Sequence, residues 1–342
     1  MFKIKVIDIK NLNQQISLKV ANDPRLNNPL LYIKARKNEV YSTRLHPGSV
    51  TKKYITFDIN TMSISPLNLY YDLYIEFSDD NGNRISKKVS GKSRLSRYFT
   101  NLLNLKHQGV KFNDKDYLVT EYFAAGGTLA FQIRERDEYD SIKYRIKEAI
   151  ACLLVPFLFF YYKDSKLIYE KFSNYARDNS YYYFKYIQNS ENNNKLFYII
   201  KRDSPDLERV LPYKKQIVYF MSIKHILLIL ESKYFIASES KGHAYAWRHN
   251  QSVARYCLNR KPFVFLQHGV LGLKQVDHTF FANNRLNHAD LFITSSEIEK
   301  QIVVDFLGYQ DKNVAVTGLA RWDNFNKLPK EKKIFVMPTW RA

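Results

Sequence analysis

At 342 residues with 45% hydrophobic side chains, the chain is long enough for two or three domains with sizeable cores. The formal net charge of +20 points to an anionic partner, whether nucleic acid, an acidic membrane face or a phosphate-rich substrate. Cys152 and Cys257 stand far apart, which excludes a disulfide framework and cysteine metal spacing and fits a reducing compartment, each a small buried hydrophobe.

The N-terminus, MFKIKVIDIKN, alternates like a strand and lacks the apolar core of a signal peptide. Residues 1–138 read as an all-β, sandwich-like accessory module. KIKVIDI, QISLKV, LLYIKA, YITFDI, LYYDLYIEF and TLAFQIRE recur between turn signals. Asn81-Gly82 marks a hairpin, with a type I′ turn expected because that turn needs positive φ.

Residues 139–164 read as a helical connector. The basic stretch SIKYRIKE precedes the longest apolar run, AIACLLVPFLFFYY, Ala149 to Tyr162. That run is shorter than the roughly 20 residues of a spanning helix and carries Pro156. Either it is buried in a core or between domains, or it lies on an anionic leaflet; burial is the first expectation.

From about residue 165 the pattern changes. LFYII, YFIAS, FVFLQ, LFITS, VAVTG and IFVMP alternate with segments of helical length, such as Pro212 to Glu231 and Ser296 to Leu307. This predicts an α/β, Rossmann-like domain with a mostly parallel sheet over residues 165–330. Ligands of such sheets bind beyond the carboxyl ends of the strands, where this sequence turns polar: LQHG, ITSSE, VTGLARWD. No GxGxxG or Walker A pattern occurs, against an ordinary dinucleotide fold or a P-loop enzyme. IFVMPTWRA opens a strand and loop and the chain stops, so residues 331–342 are expected to begin a second domain that is mostly missing.

These residues resemble the CDP-glycerol glycerophosphotransferase family, the polymerases and primases of teichoic acid synthesis in Gram-positive bacteria. The likeness runs in order through EKFSNYARDNSYYYFKYI, LFYIIKRDSPD, FVFLQHGVLGLK, VTGLARWDNF and IFVMPTWR, about half the chain. Gln267 stands where the family often has Trp, and Val270 where it often has Thr. The resemblance implies a two-domain GT-B fold without a dedicated metal or cofactor. It implies transfer of glycerol phosphate or a related polyol phosphate from a CDP-activated donor to a lipid-linked polyol-phosphate acceptor. CMP leaves, and the work is done on the inner face of the cell membrane. The chain alone is then expected to lack the donor site.

Within that resemblance His268 is the expected proton acceptor for the attacking hydroxyl, since imidazole titrates near neutral pH. Gly269 lets substrate come close, a helix near Leu271 to Val276 offers amides to phosphate, and Lys274 adds a cation. Arg321 and Asp323 follow another strand end, where an Arg can fork phosphate oxygens, or they are a helix-capping Asp paired with a surface Arg. Asp178 and Asn179 bind the acceptor or cap a local turn. Thr339 and Arg341 fall in the loop that faces the donor in the family. His243 is a weaker cleft candidate, and His278 and His288 form no recognisable metal set. A GT-B glycosyltransferase using a nucleotide sugar is the alternative enzyme, and a polyanion- or membrane-binding scaffold the non-enzyme one. No nucleic-acid partner is expected, for no RRM, KH or helix-turn-helix signature occurs.

Overall fold

The computed structural model describes residues 3–12, 14–67, 69–79, 81–91, 93, 95, 97, 108–124, 126–190, 195–246, 252–272, 280–284 and 287–327. Two compact units divide it, Met1–Ala149 with Trp247–Cys257 and Ile150–Ala246 with Leu258–Ala342.

Strict alternation builds the first unit. On β2 (Gln15–Ala21) Ile16, Leu18 and Val20 are buried while Gln15, Ser17 and Lys19 are not. Ile55, Phe57 and Ile59 do the same on β6 (Tyr54–Asn60), so period-two patterning turns one face of each strand to a common core. With β1 (Ile4–Leu12), β3 (Asn27–Ala35), β4 (Thr43–Leu45), β5 (Ser49–Val50), β7 (Tyr70–Ser78), β8 (Arg84–Ser90), β9 (Gln108–Phe112), β10 (Lys115–Phe123) and β11 (Leu129–Glu135), these strands run β5-β6-β2-β1-β8-β7-β11-β10-β9. Strand β3 pairs with β7 and β4 off this path. Pairing is antiparallel except between β1 and β8. The lysine-rich β8, RISKKVS, is one strand that apolar alternation did not reveal.

The β7–β8 turn departs from expectation. Of the pair Asn81-Gly82 only Gly82 has positive φ, at 82°, whereas type I′ needs both residues there. The Asp79 carboxylate closes the turn instead, accepting from the amides of Asn81 at 3.0 Å and Asn83 at 2.7 Å. At the unit's far end Arg134 forks onto Asp140 at 2.7 and 2.5 Å, both side chains nearly excluded from solvent. Arg134→Met strands the Asp140 charge, and chemical denaturation is expected to show a loss of about 3–5 kcal/mol. A change below about 1 kcal/mol would contradict this reading of the pair.

Helix α1 (Ile142–Tyr162) continues through Pro156 and corrects the expectation of burial. Ile142, Ile146, Ile150, Leu153, Phe157 and Phe160, three or four residues apart, form one stripe of exposed side chains. Phe157 is 82% exposed and Phe160 76%, and Ala151 is the one buried residue of the helix. Among the described residues no helix is long and apolar enough to cross a membrane. Cys152 and Cys257 are half-buried and in no disulfide, less enclosed than expected.

The second unit is an all-parallel seven-stranded sheet. Its strands are β12 (Lys166–Tyr169), β13 (Leu196–Ile200), β14 (Ile217–Tyr219), β15 (Tyr234–Ala237), β16 (Phe263–Phe265), β17 (Leu291–Thr294) and β18 (Val314–Val316). They lie in the order β14-β13-β12-β15-β16-β17-β18, so the winding reverses between β12 and β15. All five residues of β13 are buried, the continuous apolar run of a strand covered on both faces. The unit's helices are α2 (Asn179–Ser190), the short α3 (Leu207–Val210), α4 (Ile223–Glu231) and α6 (Glu297–Asp305), whereas α5 (Val253–Arg260) belongs to the first unit as far as Cys257. The expected helix from Pro212 to Glu231 is in fact a 3-10 turn, the strand β14 and then α4. A three-residue strand is too short for periodicity to separate it from a helix. The start of the expected second domain lies outside the described residues.

Candidate active site

The stretch FVFLQHGV leaves the sheet through a strained residue. Gln267, 2% exposed, has φ of 62°, a left-handed conformation that non-glycine residues adopt only when their surroundings enforce it. Its Nε2 donates to Glu299 Oε1 at 2.7 Å and to the Ile293 carbonyl at 3.4 Å, while its own carbonyl accepts from Asn179 Nδ2 at 2.7 Å. The turn puts His268 at the carboxyl edge, exposed, with Nδ1 3.3 Å from the Ser238 carbonyl. A carbonyl can only accept, so this contact places the proton on Nδ1 and leaves the Nε2 lone pair for chemistry. A Cβ at Gly269 would meet no atom of the described residues within 4 Å apart from its chain neighbours.

The beginning of α2 locks onto the same edge. Arg321 Nη1 donates to Asp178 Oδ1 at 2.7 Å, and the Arg321 amide donates to Asn179 Oδ1 at 3.1 Å. Asn179 is fully buried, its amide bolting the end of β18 to the end of β16. It therefore holds the edge rather than standing at its surface, and Arg321 is paired with Asp178 rather than held apart. Asp323 is exposed, and no bond joins it to this cluster among the described residues. Lys274, Thr339, Arg341 and His278 lie outside the described residues. Leu271 and Gly272 are not helical, so the expected helix does not begin there. His288 bonds the Ala282 carbonyl through Nδ1 and stacks on Tyr309.

Three groups were given no individual role from the sequence. Glu170, 2% exposed, accepts from the amides of Arg177 at 3.0 Å, Asp178 at 2.8 Å and Tyr181 at 3.1 Å, tying down the first turn of α2. Burial pushes its carboxyl up from 4.5 to about 7, against the pull of those amides. Glu239, one residue past Ser238, is pushed up by burial while the charges of His268 and Lys171 pull it down and that of Asp178 adds to the rise. Phe172 and Ser173 both have positive φ, and the Phe172 ring stacks on His243 at 4.2 Å and 10°. Glu170 and Phe172 stood in the EKF element of the family likeness with no role assigned, and Glu239 in the polar strand end SES.

Glu170 makes stability depend on pH. Its folded value lies above the ordinary one, so its contribution is present below about 4.5 and lost as pH rises through about 7. Urea unfolding at pH 5 and pH 8 is expected to show a fall of about 3 kcal/mol in the wild type that Glu170→Gln lacks. Equal slopes in the two proteins would sink the assignment.

An apolar cleft of about 340 Å³, lined by Tyr183, Tyr234, Ile236, Val264, Leu266 and Ile293, is the other concavity of this unit to note. Ile293, whose carbonyl accepts from Gln267, is shared with the His268 edge, and Asp290 is the charged residue of an otherwise largely apolar lining, so the chemistry is sought at the strand ends.

A model of the CDP-Glycerol:Poly(glycerophosphate) glycerophosphotransferase family matches residues 153–342. The Minor teichoic acid biosynthesis protein GgaB of Bacillus subtilis (strain 168) is 33% identical over 206 residues, 58% of this chain and 22% of GgaB. The chain thus spans about a fifth of that relative's length. Among solved structures, S. aureus TarS 217–571 overlaps 41% of this chain and 40% of its own, at 15% identity and a TM-score of 0.34. The wall teichoic acid polymerase TagF overlaps 55% of this chain and 50% of its own, at 10% identity and a TM-score of 0.34. With the family match taking in more than half of its residues, and the His-Gly strand end within that match, the chain belongs to the CDP-glycerol:poly(glycerophosphate) glycerophosphotransferase family.

Proposed function

We propose that the protein transfers glycerol phosphate, or a related polyol phosphate, from a CDP-activated donor to the hydroxyl end of a lipid-linked polyol-phosphate acceptor. The observation that carries this reading is His268, exposed at the carboxyl edge of the sheet with its Nδ1 held by the Ser238 carbonyl, which leaves Nε2 as the unprotonated nitrogen. Nε2 takes the acceptor's hydroxyl proton as the oxygen bonds to the β-phosphorus of the donor. The bond from that phosphorus to the bridging oxygen breaks, and CMP leaves with the electron pair. Lys171, whose charge reaches the same edge as that of His268, supplies positive potential for the phosphates.

The acceptor's lipid end gives a role to the exposed stripe of α1. Leu153, Phe157 and Phe160 enter the interface, and Lys143, Arg145, Lys147 and Lys163 on and beside the helix meet anionic headgroups. Labelled glycerol phosphate from CDP-glycerol is expected to appear in the lipid-extractable acceptor when both are given to the full-length protein. Label that stays wholly in water-soluble products would contradict the proposal.

A further inference from the structure

Glu299 lies in the first turn of α6 and is 1% exposed. That helix is already capped, for Ser296 Oγ accepts from the Glu299 amide at 3.2 Å. Glu299 Oε2 accepts from the Ser295 amide at 2.6 Å, a bond local to the cap. The other oxygen leaves the helix altogether. Oε1 accepts from Gln267 Nε2 at 2.7 Å and from the Leu271 amide at 2.6 Å. Those two donors bracket His268-Gly269-Val270, so one buried oxygen closes the turn that carries the imidazole at both its ends. Capping does not need this reach.

We propose that Glu299 is a positioning residue for His268. The inference rests on the reading of His268 as the proton acceptor. Three amide donors satisfy the buried carboxylate, and bonds to an ionised acceptor are the strong kind. Part of that strength holds Gln267 in its left-handed conformation, which relaxes toward extended backbone once the side-chain bond is gone. Relaxation there rotates the peptide between Gln267 and His268 and carries Nδ1 away from the Ser238 carbonyl. Displacements of about 1 Å at a reacting group lower rates by roughly a hundredfold.

The test uses Glu299→Gln in the full-length protein, with Gln267→Met as a second variant that leaves the cap of α6 intact. Glu299→Gln has the same shape but must present an NH₂ where the wild type accepts. CMP release is expected to fall roughly 10- to 100-fold in kcat for both variants, with KM for donor and acceptor little changed. Glu299→Gln is expected to slow the His268→Ala enzyme no further, because the lost positioning has nothing left to act on. A folded Gln267→Met protein with wild-type kcat overturns the inference. So does a Glu299→Gln loss of equal size in the His268→Ala background, which marks a merely structural carboxylate. An unchanged rate in His268→Ala alone overturns the reading of His268 as the base, and this inference with it.

Discussion

His268→Ala in the full-length protein is expected to lower kcat for CMP release by about 10²- to 10⁴-fold, the span that general-base catalysis covers. KM for donor and acceptor should change little, since on this reading Nε2 serves the proton rather than the binding of either substrate. His268→Asn keeps a polar side chain but no base, and should be as slow as the alanine variant. A kcat within about threefold of wild type in either variant would remove His268 from the mechanism.

The second large effect belongs to α1. Replacing Leu153, Phe157 and Phe160 together by serine is expected to lower binding to phosphatidylglycerol vesicles by at least about 10²-fold. Burying one large apolar side chain contributes about 1.5–3 kcal/mol, and these three are mostly exposed in the protein. The basic residues of the helix add a part that salt weakens, so binding by wild type should fall between low and high ionic strength. Cosedimentation with phosphatidylglycerol and phosphatidylcholine vesicles measures both parts. Undiminished cosedimentation of the serine variant would show that another surface meets the membrane.

How far the fold could be read from the sequence followed from period and length. Strands such as QISLKV, YITFDI and LFYII stood out because alternation or a continuous apolar run left little choice of structure. The three-residue β14 and the polar β8 did not, for neither carries enough apolar side chains to show a period. For α1 the run of apolar residues was plain but its environment was not. A stripe at helical spacing looks the same in sequence whether it packs on protein or faces outward.

The site divided along a different line. His268, Asp178, Asn179 and Arg321 stood in polar strand ends or loops of the family pattern, and the structure brings the last three into one bonded chain that ends on the carbonyl before His268. What no pattern could supply was the partner of each. Asn179 and Arg321 are 142 residues apart, and Glu299 lies 32 residues from Gln267. Such pairs are created by the parallel order of β12, β15, β16, β17 and β18, which sets distant loops side by side at one edge. Glu299 escaped notice, and Glu170 stood in the EKF element with no role assigned, because the burial of a carboxylate fed by backbone amides has no sequence signature of its own.

The most direct measurement is the release of CMP or UDP by the full-length protein from CDP-glycerol, CDP-ribitol and UDP-sugars, with and without lipid-linked acceptor. CMP from a CDP-polyol that appears only with acceptor and collapses in His268→Ala is the expected result. Turnover of a UDP-sugar with no release from either CDP-polyol would contradict it and assign the protein to the glycosyltransferases.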